Sequence, residues 1–145
     1  MLSVLIPCYN ESEKLFSSLR RLSSWFEKQD ILYEIIVINN GSTDDTYIRF
    51  KDLVTDPNIS IINEMTKGKG FAVKKGLENC SFNKVLIVDA DLSVDIDQLD
   101  SSWFLQKETL LVGSRVIGTQ QGTPLSRQFA GKLLNKFIRK IFKLS

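Results

Sequence analysis

Histidine is absent from the 145-residue chain. That removes every Ser-His-Asp triad and every Cys-His nucleophile pair. Cysteine is nearly as scarce: Cys8 falls inside a strand-like run and Cys80 near a helix end, a spacing that makes neither a zinc site nor a disulfide framework. Two unpaired thiols point to a reducing compartment rather than a secreted protein. No apolar run approaches the roughly 20 residues that a membrane span needs. Met1 leads straight into a strand-like segment, so no signal peptide is expected. No G-x-G-x-x-G follows that first strand, which argues against a dinucleotide-binding fold. Acidic residues are missing after Glu108.

What is present bounds the answer further. With 43% hydrophobic residues the chain can bury one core, and one domain is the default. The formal net charge of +2 divides into +6 after residue 126, from Arg127, Lys132, Lys136, Arg139, Lys140 and Lys143, and −4 before it. A mildly acidic body therefore carries a basic tail, and no nucleic-acid partner is expected. Strand and helix signals alternate along the body. Leu2–Pro7, Tyr33–Ile38, Asn58–Asn63 and Lys84–Asp89 read as strands. A helix is expected to start at Asn10–Glu13, with acids in its first turn, and to run through Leu15, Leu19, Leu22 and Phe26. Two more are expected over Thr43–Leu53 and Lys69–Glu78. This β-α-β-α order predicts an α/β fold, a mostly parallel sheet between two helical layers, with ligands beyond the carboxyl ends of the strands.

The richest stretch is V-L-I-V-D-A-D at 85–91. Residues i and i+2 of an extended segment point the same way, so Asp89 and Asp91 can face one divalent cation, or one a cation and the other a sugar hydroxyl. Hard oxygen ligands of this kind suit Mg2+ or Mn2+ carrying a substrate's phosphates. A polar turn at a strand end is the plainer reading of a lone D-x-D. Two other polar loops, Pro7–Glu11 and Asn39–Asp44, fall at the same edge of the expected sheet, and three coincident loops make a site.

Five blocks in order resemble the family 2 inverting glycosyltransferases of the GT-A fold: I-P-C-Y-N-E at 6–11, V-I-N-N-G-S-T-D-D-T at 37–46, K-G-K-G-F-A-V-K-K-G at 67–76, V-D-A-D-L-S at 88–93 and G-S-R at 113–115. Within that family the K-G-K-G-x-A-V block, and G-S-R followed by Ser126-Arg127, resemble the polyprenyl-phosphate hexosyltransferases, which include the dolichyl-phosphate mannose and glucose synthases. The resemblance implies a GT-A, three-layer α/β/α domain that takes a hexose from a nucleotide diphosphate sugar, UDP-glucose or GDP-mannose, to a polyprenyl phosphate. It also implies the cation at Asp89 and Asp91, with Ala90 between them in the donor site.

Other residues acquire expected roles from the same resemblance. Pro7 stiffens the strand exit, Tyr9 offers an aromatic face to the nucleotide, and Glu11 accepts from ribose hydroxyls. Relatives carry paired aspartates where this chain has Asn39 and Asn40; a carboxamide can still accept from a base N–H but without charge, which implies an altered base preference. Asp44 reads equally as a helix cap or as a functional residue. The Lys67–Gly70 loop ahead of a helix suits phosphate, with Lys69 the expected cation; Lys74 and Lys75 read as a solvated face. Arg115 is expected to grip phosphate as a fork, and Arg127 and Lys132 to hold the acceptor. A lipid phosphate is already an anion, so the lack of acid after Glu108 favours it over a saccharide hydroxyl, which would need a general base.

The resemblance divides the chain into a nucleotide-sugar-binding core at 1–126 and a basic amphipathic helix at 127–145. Phe129, Leu133, Phe137, Ile141 and Leu144 recur there at helical spacing between lysines and arginines. Such a helix lies in an anionic membrane surface or packs on the sheet. The expected location is cytoplasmic, peripheral to the membrane. Relatives continue further, so the chain is read as short at its carboxyl end: a minimal enzyme, a half that needs a partner subunit or homo-oligomer, or part of a longer protein. Two other readings remain at this point, a family 2 transferase acting on a saccharide hydroxyl and a non-catalytic domain that binds nucleotide-sugar or membrane. Ser93 also stands where mannose synthases commonly carry glutamine.

Overall fold

Two neighbouring strands are buried almost throughout, and their apolar side chains divide alternately between two layers. In the computed structural model, which describes residues 1–93, 95–100 and 104, β1 (Leu2–Cys8) pairs in parallel with β2 (Tyr33–Asn39), from Leu2 opposite Tyr33 to Cys8 opposite Asn39. Leu2, Val4, Ile6 and Cys8 of β1 and Tyr33, Ile35 and Val37 of β2 join one apolar cluster. Leu5, Ile36 and Ile38 join another. The period of two sends alternate residues to opposite faces, and both faces are apolar, as a parallel sheet covered on two sides requires.

Helices supply the two covers. Leu15, Leu19, Leu22, Trp25 and Phe26 of α1 (Leu15–Lys28) complete the first cluster, with Phe50 of α2 (Thr46–Leu53). Phe26 is fully buried, stacked on Tyr33 at 5.0 Å between ring centroids and edge-on to Trp25 at 5.1 Å. On the other face α3 (Lys69–Leu77) brings Ala72 to the second cluster. Its close approach depends on Gly76, where a Cβ would stand 2.8 Å from Ile38 Cδ1 and 3.0 Å from Leu5 Cδ1. With β3 (Ile59–Asn63) and β4 (Val85–Ile87) the order is β3-β2-β1-β4, all parallel. This is the predicted three-layer α/β/α arrangement. Parallel order brings the carboxyl ends of all four strands to one edge.

Three boundaries differ from the sequence expectation by more than one residue. α1 begins at Leu15 with no acid in its first turn, because Asn10 sits in the left-handed region (φ 55°) and the chain turns once more before the helix. α2 begins at Thr46 rather than Thr43, since residues 42–44 are held by Asn10 instead of by a helix. β4 stops at Ile87, although the Val88 amide still donates to Leu5 O at 3.0 Å. Among the described residues no helix is long and apolar enough to cross a membrane. The amphipathic stretch at 128–144 and the division at 126/127 lie outside the described residues.

Candidate active site

Asn10 joins the loops that leave β1 and β2. Its amide donates to Ser42 Oγ at 3.0 Å, its Oδ1 accepts from the Thr43 amide at 2.8 Å, and its Nδ2 donates to Thr43 Oγ1 at 3.2 Å. Asparagine tolerates the positive φ that this geometry needs. One residue on, the Glu11 amide donates to Thr46 Oγ1 at 3.2 Å, and the Ser12 amide to Asp44 Oδ2 at 3.4 Å. Asp44 Oδ1 accepts from the Thr46 amide at 3.1 Å. Burial pushes the Asp44 carboxyl up, but the bonds from Thr46 and Ser12 outweigh it and hold it below its usual range. Asp44 thus ties the start of α2 to the first loop. Tyr9 and Glu11, on either side of Asn10, are fixed at the edge of the sheet, with Tyr9 half exposed.

The segment after β4 turns sharply. The Leu92 amide donates to Asp89 O at 3.0 Å, and Leu92 takes a left-handed φ of 45°. Ser93 closes the turn: its amide and hydroxyl both donate to Asp91 Oδ1, at 3.0 and 2.6 Å. The Ser93 hydroxyl is the main reason the Asp91 carboxyl lies below its ordinary range, with smaller help from the Ser93 amide and the charge of Lys14 against a burial cost. Asp91 is therefore ionised at neutral pH, as a hard oxygen ligand must be. From beneath, the buried Ser18 hydroxyl of α1 donates to Ala90 O at 2.7 Å. Beyond the turn, Arg21 pairs with Asp95 and Asp97.

The third wall is the start of α3. Asn40, just past β2, bonds through its carboxamide to backbone groups of residues 64–68, while its own amide donates to Cys8 O at 2.9 Å. Lys69 follows, and its Nζ forms an ion pair with Asp89 Oδ1. These walls enclose a cleft of about 280 Å³ lined by Pro7, Tyr9, Glu11, Asn40, Lys69, Asp89, Ala90 and Asp91, together with Cys8, Ala72 and Ser93. Eight residues singled out from the sequence therefore meet in one place. Asn39 does not line it: its carboxamide donates to Asn63 Oδ1 at 2.9 Å and accepts from the Ser42 amide at 3.3 Å, between strands. Arg115, Arg127 and Lys132 lie outside the described residues. Burial, with the nearby Glu11 charge, pushes the Cys8 thiol up to about 12, so it is no nucleophile.

Asp89 and Asp91 each have one carboxylate oxygen engaged, by Lys69 and by Ser93, and a second with no hydrogen-bond partner among the described residues. Among those residues no group of three or more acidic or cysteine side chains converges as a metal cage. Two free hard oxygens without a third protein ligand fit a Mg2+ or Mn2+ ion that completes its shell with phosphate and water. Ser93, Ser18 and Asn10 are the residues whose part was not foreseen. A serine two positions after an aspartate is a readable turn signal, whereas Ser18 sits at helical spacing in an apolar face and looks like core.

Known proteins resemble the chain in sequence and fold. The chain is 32% identical to a dolichyl-phosphate beta-glucosyltransferase of Trichomonas vaginalis, over 88% of this chain and 43% of that protein. It is 28% identical to the undecaprenyl-phosphate 4-deoxy-4-formamido-L-arabinose transferase of Pseudomonas syringae, over 95% of this chain and 42% of that one. The chain thus spans less than half the length of these two relatives. Its structure resembles a mannosyltransferase of Pyrobaculum calidifontis solved with GDP-mannose and Mn2+, with a TM-score of 0.51 and 27% identity over 62% of this chain and 27% of that one. Residues 3–141 match the description of one family, and the GT-A architecture with its cleft at the carboxyl edge agrees: the chain belongs to glycosyl transferase family 2.

Proposed function

We propose that the chain is the donor-binding core of an inverting hexosyltransferase that moves a sugar from UDP-glucose or GDP-mannose to a polyprenyl phosphate. The observation that carries this reading is the convergence of Tyr9, Glu11, Lys69, Asp89 and Asp91 on one cleft. Two relatives named for transfer to dolichyl and undecaprenyl phosphate support the acceptor class.

In this reading Tyr9 presents its ring to the base and Glu11 accepts from the ribose hydroxyls. Asp89 and Asp91 hold Mg2+ or Mn2+, which when bound neutralises charge on the leaving diphosphate. Lys69 adds a cation beside the amides at the start of α3, where an anion is favoured. The acceptor's phosphate oxygen attacks the anomeric carbon, the bond from that carbon to the donor's diphosphate breaks, and the nucleoside diphosphate leaves with the electron pair. The acceptor arrives already ionised, so no general base is needed and positioning dominates. Arg115, Arg127 and Lys132 serve as grips on phosphate, and residues 128–144 as the part that meets the cytoplasmic membrane face. Residues 1–126 form the donor core of this division.

Calorimetric titration with UDP-glucose and GDP-mannose, with Mn2+ or Mg2+ and then with chelator, tests the donor half. Metal-dependent binding of one donor, lost in Asp91→Ala, is expected. Absence of binding by both overturns the reading. Transfer of labelled hexose to polyprenyl phosphate tests the acceptor half, and turnover onto a saccharide without lipid would replace it.

A further inference from the structure

We propose that Asn40 is a positioning residue that locks the loop before α3, and that it does not read the nucleotide base. The inference rests on the donor-site reading above. Asn40 Nδ2 donates to Thr66 O at 2.7 Å and to Glu64 O at 3.2 Å, and Oδ1 accepts from the Gly68 amide at 2.8 Å. Both N–H groups and the carbonyl are thereby engaged across 24 to 28 residues of sequence. All three partners are backbone groups, which cannot exchange donor for acceptor, so only one orientation of the carboxamide satisfies them. The side chain is buried, with 7% of Asn40 exposed. Its oxygen is directed at the Gly68 amide.

The held residue decides where α3 begins. Gly68 is the residue before the helix, at a φ of 132° that side-chain-bearing residues rarely adopt, and its carbonyl accepts from the Phe71 and Ala72 amides. No side chain of α3's own N-terminal residues caps it. Asn40 does that work from a neighbouring strand end, setting the first amides of α3 and the adjacent Lys69 against the cleft. Asn39 is the internal contrast. Its Nδ2 partner is the side-chain oxygen of exposed Asn63, an amide that can turn over.

The isosteric pair Asn40→Asp and Asn39→Asp separates the two. At position 40 a carboxylate keeps the bond from Gly68 but sets negative oxygen against two carbonyls; at position 39, Asn63 turns its NH2 toward the new carboxylate. In full-length protein without nucleotide, amide hydrogen exchange at Gly68–Ala72 should speed up at least about tenfold in Asn40→Asp and stay unchanged in Asn39→Asp, the loss expected when buried partners go unsatisfied. Unchanged exchange in both overturns the inference. In wild-type protein both Asn40 side-chain N–H protons should exchange more slowly by nuclear magnetic resonance than those of the exposed carboxamides; fast exchange also overturns it, with no variant needed. Titration with UDP-glucose and GDP-mannose plus Mn2+ adds a readout that mere support would not move. The affinity deficit of Asn40→Asp should shrink from pH 8 to pH 5, because a protonated carboxyl regains one donor toward Thr66. A base reader would instead show an altered UDP-to-GDP preference with normal exchange. If wild-type protein binds neither donor, the donor-site reading falls, while the exchange result still decides the lock.

Discussion

Ser18→Ala removes one oxygen from the least conspicuous contact of the site, and the cost follows from its surroundings. Ser18 is 4% exposed and Ala90 is 4% exposed, so neither water nor a neighbour replaces the 2.7 Å bond to Ala90 O. A buried carbonyl left unsatisfied costs about 1–3 kcal/mol, against a gain of a few tenths for alanine in a helix. At about 4 °C per kcal/mol for a chain of this size, thermal unfolding should shift down by about 2–10 °C. Ser17→Ala is the control, because its hydroxyl is exposed and bonds only to Lys14 O within the same helical turn. That variant should lie within about 0.5 kcal/mol of wild type. Differential scanning calorimetry measures both. The bond also fixes the residue between Asp89 and Asp91, so Mn2+-supported donor binding should weaken in Ser18→Ala and persist in Ser17→Ala. Equal stability and equal binding of the two variants would refute the reasoning.

Glu34 gives the acid limit of the fold. Burial raises its carboxyl, but hydrogen bonds from Ser3 and from the amide and hydroxyl of Ser81 more than offset this and hold it below its ordinary range. A depressed carboxylate stabilises the folded state above its unfolded value, and that stability is lost as pH falls through the lower folded value. Urea midpoints should fall below pH 4.5, and Glu34→Gln should flatten that fall. Gly76→Ala should destabilise, since about 1–3 kcal/mol of overpacking against Ile38 and Leu5 exceeds about 1 kcal/mol of helix propensity. Gly70→Ala meets nothing within 4 Å and should raise the unfolding temperature slightly.

The fold was legible because both faces of its central strands are buried. Apolar runs at Leu2–Pro7 and Tyr33–Ile38, broken only by Ser3 and Glu34, have no competing amphipathic reading, and alternation with helices implied parallel order. Helix starts were not legible: Asn10 and Asp44 bond across loops 32 to 34 residues apart, and no local pattern reports such partners. Asp89 and Asp91 were legible as paired carboxylates at a strand end and Lys69 as a cation in a glycine-rich loop, whereas Tyr9 and Glu11 stood out only through the family resemblance; all five line the cleft. Asn39 and Asn40 were legible only as a departure from paired aspartates. Their different roles depend on where residues 63–68 pass, which is a tertiary fact.

The site thus uses two kinds of residue, and mutants should divide the same way. Its charges are solvent-facing: the side chains of Lys69 and Asp89 are 63% and 50% exposed, and an ion pair in water contributes about 0–1 kcal/mol. Either partner can leave the other for a ligand at little cost. Its geometry is carried by small polar side chains bonded to backbone, Asn10 to residues 43 and 44, Asn40 to residues 64–68 and Ser18 to residue 90, and by the Ser93 amide and hydroxyl on the Asp91 carboxylate. Lys69→Ala and Asp89→Asn should therefore weaken donor binding while leaving the unfolding temperature within about 2 °C of wild type, whereas Asn10→Ala should lower both, because a left-handed residue loses its tolerance along with its bonds. Calorimetric unfolding and donor titration of the three variants measure the two quantities independently. An equal loss of stability in all three would mean that the exposed charges, not the buried ties, hold the strand-end loops together.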